Sequence, residues 1–290
     1  MTPAFDVIVC GSLHLDIVVD SPHLPRLDET VPGTSWKKIC GGKGGNQAVM
    51  AARAGAKCAM IGRVGIDDFG KTLKANLIAN NVDAAFVSVD PTNGTGISVA
   101  IVESAGDYGA VIVSGSNLAL SPNANAWQTC GGAKVLILQN EIPEAVNIAW
   151  AHAARQSGAT VIFNAAPARE MSDELLKHID LLIVNRVEAE MLCGLQVSDA
   201  ASAIAVIPKL NKNVQSVIIT LGEQGLIFKT KNDAPQYVAP MKVIVKSTHG
   251  AGDCFVGVLA CELANGKSLA AACTLANEAA AKFVAGNTLD

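Results

Sequence analysis

From about residue 134 onward the chain alternates short, continuous apolar runs with longer amphipathic stretches, and that alternation leaves few folds open. "KVLIL" (134–138), "TVIFN" (160–164), "DLLIV" (180–184) and "SVIIT" (216–220) are apolar throughout, as strands covered on both faces are. Between them, 143–156, 172–178, 186–193 and 200–210 carry helical spacing. Strand and helix in strict alternation predict a parallel sheet covered by helices on both sides. The opening follows the same rhythm, with "FDVIVCGS" as a strand, 45–54 as a helix and "CAMIG" as a second strand. Near the end, "KVIVK" (242–246) reads as one more strand before the helical "CFVGVLACELANG".

Two segments break the rhythm. "SLHLDIVVD" (12–20) with "GTSWKKIC" (33–40), and "GISVAIV" (96–102) with "GAVIVSG" (109–115), read as strand pairs, the second closing as a hairpin at "ESAGDYG". A small antiparallel sheet beside the main one is expected. Its strands are either edge strands of a single sheet or a lid, formed by about 12–40 and 96–115, that closes over a ligand. No repeat, low-complexity tract or linker divides the chain, so 1–290 is expected to form one α/β unit.

Charge and composition exclude several functions. Lys and Arg number 22 against 26 Asp and Glu, a formal net charge of −4, and no basic block offers a row of phosphates its counterions. A nucleic-acid partner is therefore not expected. No apolar run approaches the ~20 residues of a membrane span, and the N-terminus enters a strand pattern without a signal-peptide profile, which predicts a cytoplasmic protein. The eight cysteines lie scattered in apolar contexts without a CxxC pair, as reduced, buried thiols do.

Chemistry concentrates in a few glycine-rich stretches. In "STHGAGDCF" (247–255), Gly250, Ala251 and Gly252 stand where a helix begins, and small residues let an anion approach the unpaired N–H groups there. Asp253 beside them is either a functional carboxylate or a complement to the helix dipole, which should lower its pKa. "CGGKGGNQAVMAARAG" (40–55) surrounds Lys43 with four glycines and opens a helix with Asn46 and Gln47. Lys43 lacks the following Ser or Thr of a P-loop, and Gln47 stands where a dinucleotide fingerprint needs glycine. The stretch is either architecture or a cradle for a polyhydroxylated ligand. "NRVEAE" (185–190) ends a strand and carries capping-box spacing between Asn185 and Glu188; it caps a helix, faces a metal-bound phosphate, or does both. "TLGEQG" (220–225) offers a hydroxyl and amides at another strand end.

The combination is more specific than its parts. "GGKGGNQA", "NAAPAR" (164–169), "NRVE", "TLGEQG" and "THGAGD" occur in the order and approximate spacing of the ribokinase, or phosphofructokinase-B, family of sugar kinases. The resemblance runs from "GSLHLD" (11–16) to "VAGN" (284–287), and "LQNEIP" (138–143) and "NAAPAREM" (164–171) resemble the ribokinases themselves. It implies an αβα sandwich with a small β lid, and ATP and Mg2+ as cofactors. It also implies transfer of the γ-phosphoryl group to a sugar hydroxyl, in the first place that of D-ribose. Lid strands with exposed apolar faces often pair between subunits, so a homodimer through the lid is expected. Asp253 matches the family's catalytic base, with the amides of Ala251, Gly252 and Asp253 as the anion hole that opens at Gly250. Phosphoryl transfer through a loose transition state needs an oriented nucleophile more than an early proton transfer, so a weak base suffices. Asp16, Gly42, Lys43, Asn46 and Glu141 match sugar-holding positions. Asn185 and Glu188 match the motif that organises magnesium, through water, and the nucleotide phosphates; Thr220, Gly222, Gly225 and Asn277 lie on the nucleotide side.

The chain also departs from the pattern. His14 stands where ribokinases usually place an Asn against the sugar, which leaves open another sugar or a nucleoside as acceptor, or a catalytically silent sugar-binding member. Ser247 replaces the Asp that commonly begins "DTxGAGD" and helps bind a monovalent cation, so a potassium requirement is not implied. His249, inside the anion-hole loop, is expected either behind the groups that touch the ligand or beside the nucleotide, and not in proton transfer.

Overall fold

A computed structural model of the chain describes residues 2–103, 107–122 and 126–287. The predicted apolar runs form the centre of a ten-stranded sheet. β1 (Phe5–Cys10) lies between β4 (Cys58–Gly65) and β9 (Ala133–Gln139), followed by β10 (Thr160–Asn164), β11 (Leu181–Asn185) and β12 (Ser216–Thr220), all parallel. Short β5 (Val82–Asp83) and β6 (Val87–Asp90) pair with β4 at one edge. At the other edge β13 (Leu226–Thr230) and β14 (Gln236–Val238) run antiparallel, a hairpin the apolar pattern did not announce.

Alternate residues of these strands feed two cores. Leu136, Leu138, Phe163, Val184 and Ile219 pack under α4 (Glu144–Gln156), α6 (Arg186–Cys193) and α7 (Ala200–Leu210). Val7, Val9, Ile137, Ile162 and Ile218 pack under α1 (Lys43–Arg53), α2 (Asp68–Ala79), α8 (Ala251–Ala264) and α9 (Leu269–Val284). Strands buried on both faces need apolar residues at every position, which is why these runs show no alternation. Helices α3 (Ala126–Thr129) and α5 (Asp173–Leu176) are single turns, and α5 is shorter than the predicted 172–178.

The segments outside the rhythm form a sheet of their own, in the order β3 (Ser35–Gly41), β2 (His14–Ser21), β7 (Gly96–Glu103), β8 (Tyr108–Val113). They are not edge strands of the main sheet. The pairing is mixed: β3 with β2 and β7 with β8 are antiparallel, but β2 and β7 run parallel, so the expectation of an all-antiparallel sheet is corrected. Two separate ribbons meeting side by side produce that arrangement. In the predicted "ESAGDYG" closure, 104–106 lie outside the described residues.

"KVIVK" is not a strand. The main sheet ends at β14, so 242–246 have no neighbouring strand to pair with, and Ile244 stands 88% exposed. The segment is tied down at its end, where the amides of Lys246 and Ser247 both donate to Val284 O at the end of α9. Among the described residues no helix is long and apolar enough to cross a membrane. All eight cysteines are free, seven of them buried and Cys40 half-buried.

Backbone contact between α1 and α8 is the packing feature that matters most for the site. A Cβ at Gly257 would lie 2.7 Å from both Ala51 N and Gln47 O, distances no side chain tolerates, so glycine alone lets the two helices touch. The first turn of α1 is thereby carried against the first turn of α8.

Candidate active site

The crevice lies beyond the carboxyl ends of the parallel strands, where open α/β sheets hold their ligands. At its floor is Asp253, in the first turn of α8 and only 9% exposed. Gly250 caps that helix with φ 79, a left-handed conformation that favours glycine. Ala251 N–H donates to Thr248 O at 3.3 Å, whereas among the described residues no acceptor is bound to the amides of Gly252 and Asp253. A Cβ at Gly252 would meet nothing within 4 Å, so space lies open beside those donors. Unpaired N–H groups with room in front of them are what an anion needs.

The Asp253 carboxylate takes one hydrogen bond on each oxygen: Asn46 Nδ2 donates to Oδ2 and Gln47 Nε2 to Oδ1, both at 3.0 Å. Burial pushes its carboxyl above the usual carboxylate range, despite the nearby Lys43 charge and the two amide bonds. The sequence argument from the helix dipole pointed downward; the loss of water outweighs it. Glu188 behaves likewise, raised by burial against the opposing pull of its bond from Asn185 N–H and of Lys43. Lys43 is thus the cation between two buried acids.

Lys43 and Asn46 reach this place because α1 starts abruptly. Its N-cap, Gly42, has φ 86, and a Cβ there would lie 2.7 Å from His14 N. A Cβ at Gly44 would meet Gly11 C and Ser12 N at 2.7 Å each. These glycines press the helix onto the turn between β1 and β2, which brings His14 and Asp16 alongside. Glu141, just past β9, accepts from Lys43 N–H at 3.0 Å and from Ser12 Oγ, and His14 Nδ1 lies 3.8 Å from its Oε2. The loop that carries Glu141 is clamped by Arg169, whose guanidinium donates to Asn140 Oδ1 at 3.0 Å and Ile142 O at 2.8 Å. Asp16 accepts from Ser98 Oγ across the small sheet, with Gly41 leaving room for its carboxylate. His14 is 5% exposed, and its Nε2 has no hydrogen-bond partner among the described residues.

Asn185 and Glu188 form a full capping box on α6: Asn185 Oδ1 accepts from Glu188 N–H and Glu188 Oε2 from Asn185 N–H, both at 2.8 Å. The cap occupies one carboxylate oxygen and leaves Oε1 outside it. Among the described residues no group of three or more His, Cys, Asp or Glu is placed to hold a metal ion. Next to Asn185 in register stands Thr220, at the end of β12. Gly222 (φ 60) and Gly225 (φ 80) shape the turn that follows, and a Cβ at Gly225 would strike Val238 O at 2.2 Å. From there the wall continues to Asn277, whose Nδ2 donates to Ala239 O at 2.9 Å. Here lies a cleft of about 380 Å³ lined by Val238, Ala239, Pro240, Met241, Thr274 and Asn277. His249 and Ser247 sit exposed on the approach to α8, with His249 N–H directed to Ser247 Oγ at 3.3 Å.

The predicted residues therefore fall into two groups: His14, Asp16, Lys43, Asn46, Glu141 and Asp253 around one end of the crevice, and Asn185, Thr220, Gly222, Gly225 and Asn277 along the other. Sequence reasoning missed what lies behind Asp253. Gln47, Gln139 and Asn164 form a buried chain of amides there, and each lies inside a quoted motif without any spacing that links it to residue 253.

Comparison with known proteins identifies the family of the chain. The family model described as "pfkB family carbohydrate kinase" matches residues 4–287. A ribokinase from Mus musculus is 37% identical over 263 residues, 89% of this chain and 81% of that protein. One from Haemophilus influenzae is 34% identical over 277 residues, covering 94% and 90%. Among solved structures, a ribokinase from Arabidopsis thaliana complexed with ribose and ATP superposes with a TM-score of 0.91 at 29% identity, covering 98% of this chain and 93% of that one. The chain belongs to the pfkB family of carbohydrate kinases.

Proposed function

We propose that the protein transfers the γ-phosphoryl group of ATP to the 5-hydroxyl of D-ribose, with Asp253 as the catalytic base. One observation carries the reading: a buried carboxylate shares the first turn of α8 with two open amide donors, Gly252 and Asp253. A nucleophile's proton acceptor and an anion cradle are thereby held a few ångströms apart on one rigid element. As the new O–P bond forms, the ribose hydroxyl proton passes to the Asp253 carboxylate. The bond from the γ-phosphorus to the bridging oxygen breaks, and ADP leaves with its electrons. Asn46 orients Asp253, and His14, Asp16, Lys43 and Glu141 surround the sugar. The cleft beside Asn277 takes the base of the nucleotide, with Thr220, Gly222 and Gly225 along its phosphates. Magnesium, bound with the nucleotide, neutralises phosphate charge; Asn185 and Glu188 would hold it through water.

The β2–β3–β7–β8 sheet acts as a lid that excludes water, the competing phosphoryl acceptor. Trp36, Val111 and Val113 are each more than half exposed and lie, by strand alternation, on the face away from Asp16 and Ser98. An apolar face of that kind supports a homodimer through the lid in a cytoplasmic enzyme, which equilibrium sedimentation reads directly: a monomer at micromolar concentration contradicts it.

Coupled ADP-release assays over ribose, deoxyribose, fructose, adenosine and pseudouridine test the acceptor. Ribose is expected to give the highest kcat/KM, and any nucleoside that exceeds it retires the ribose assignment. With Ser247 in place of an Asp, adding potassium to a sodium buffer is expected to leave the rate unchanged. A dependence on potassium would show that another group supplies the cation site.

Asp253→Asn separates activity from stability. Removal of a general base costs roughly 10²–10⁴-fold in kcat, and ATP affinity is expected to hold. The folded-state pKa of Asp253 lies above its unfolded value, so the folded protein loses stability as pH rises through that window, and the ionised group is a standing cost at neutral pH. The amide variant should therefore melt at the same or a higher temperature than wild type at pH 7.5. Wild-type turnover by this variant contradicts the role given to Asp253.

A further inference from the structure

Three hydrogen bonds fix the side chain of Gln47, which is fully buried and so makes no contact with a ligand. Its Nε2 donates to Asp253 Oδ1 and to Asn164 Oδ1, each at 3.0 Å, and its Oε1 accepts from Gln139 Nε2 at 2.8 Å. The orientation is enforced from the sheet side. Asn164 Nδ2 donates to Ile183 O at 3.2 Å, which turns Asn164 Oδ1 toward Gln47 and demands a donor there. Gln47 must then present Nε2, whose second hydrogen points at Asp253. No rotation of this amide is available that keeps all its partners.

Resting on the kinase reading above, we infer that Gln47 is a positioning residue for Asp253. Braced by Asn164 and Gln139 at the ends of β10 and β9, it holds Oδ1 and leaves Oδ2, the oxygen shared with part-exposed Asn46, as the one presented to the acceptor hydroxyl. An amide suits this post. It donates to a carboxylate without surrendering a proton, so it neither neutralises the base nor competes with the substrate. The charged groups that act on Asp253 from neighbouring elements are Lys43, Glu141 and Glu188; Gln47 is the buried neutral donor among them.

The test compares Gln47→Met and Gln47→Glu with wild type, with kcat and KM measured from pH 5 to 9. A hydrogen bond to an ionised group, once lost, is worth about one pH unit. The acid limb of kcat in Gln47→Met is therefore expected to move up by about that much. In Gln47→Glu it should move further, because two adjacent buried carboxylates resist joint ionisation. At pH 7 kcat should fall at least ~10-fold, with KM for sugar and ATP within about threefold, since misorientation acts on the chemical step. Gln47→Glu is nearly isosteric, so it reports even where Gln47→Met fails to fold. An unmoved acid limb with kcat within about twofold of wild type overturns the inference, as does a raised KM at unchanged kcat. Wild type without turnover on any acceptor retires the kinase reading instead; active wild type with unmoved variants retires only the role of Gln47.

Discussion

A carboxylate removed from water must be compensated by donors, and the compensation of Asp253 organises the surrounding architecture. Its two amide partners come from the first turn of α1, which reaches α8 only because Gly257 has no side chain to hold the helices apart. The same turn is pinned at its other side by Gly42 and Gly44 against the β1–β2 connection. Three glycines and two amides, four of them within 42–47 and the fifth at Gly257, thus serve one group. Even so, burial leaves the acid with a raised pKa. A carboxylate that is costly to ionise also holds its proton more tightly, so the loss of stability and the gain in proton affinity are one effect.

The two ends of the crevice solve different problems. Around Asp253 the groups are charged or amide side chains held by rigid elements: Lys43 and Asn46 in a helix start, Glu141 on a loop clamped by Arg169, Asp16 on the small sheet. Such groups recognise hydroxyls by direction. Along the other end the β12–β13 turn is forced into shape by Gly225, and the cleft is lined by apolar Val238, Pro240 and Met241 with Glu278 and Lys282 at its side and is closed by Asn277 on Ala239. A surface of that kind accommodates a flat, extended ligand.

Much of this was legible in the sequence. Continuous apolar runs gave away β9 to β12, because strands buried on both faces cannot alternate, and the spacing of Asn185 and Glu188 announced a capping box that the structure contains in full. "KVIVK" misled for a physical reason: β propensity measures how a residue fits a pleated surface, and at 242–246 no neighbouring strand supplies one. The β13–β14 hairpin stayed hidden because its strands are short and depend on the edge of β12. Asp253 could be singled out by its glycines, but not its environment. The dipole argument used only local sequence and predicted a lowered pKa, while the dominant influence, burial, is set by elements some 200 residues away. Gln47, Gln139 and Asn164 escaped for the same reason, since hydrogen bonds between positions 92 to 206 apart leave no periodic trace.

The central claim is geometric, and a crystal structure with ribose and a non-hydrolysable ATP analogue tests it most directly. The account predicts the 5-hydroxyl within hydrogen-bonding distance of Asp253 Oδ2 and the terminal phosphate against the amides of Gly252 and Asp253. A sugar bound with its hydroxyl away from that carboxylate, or a phosphate that leaves those amides empty, would contradict it.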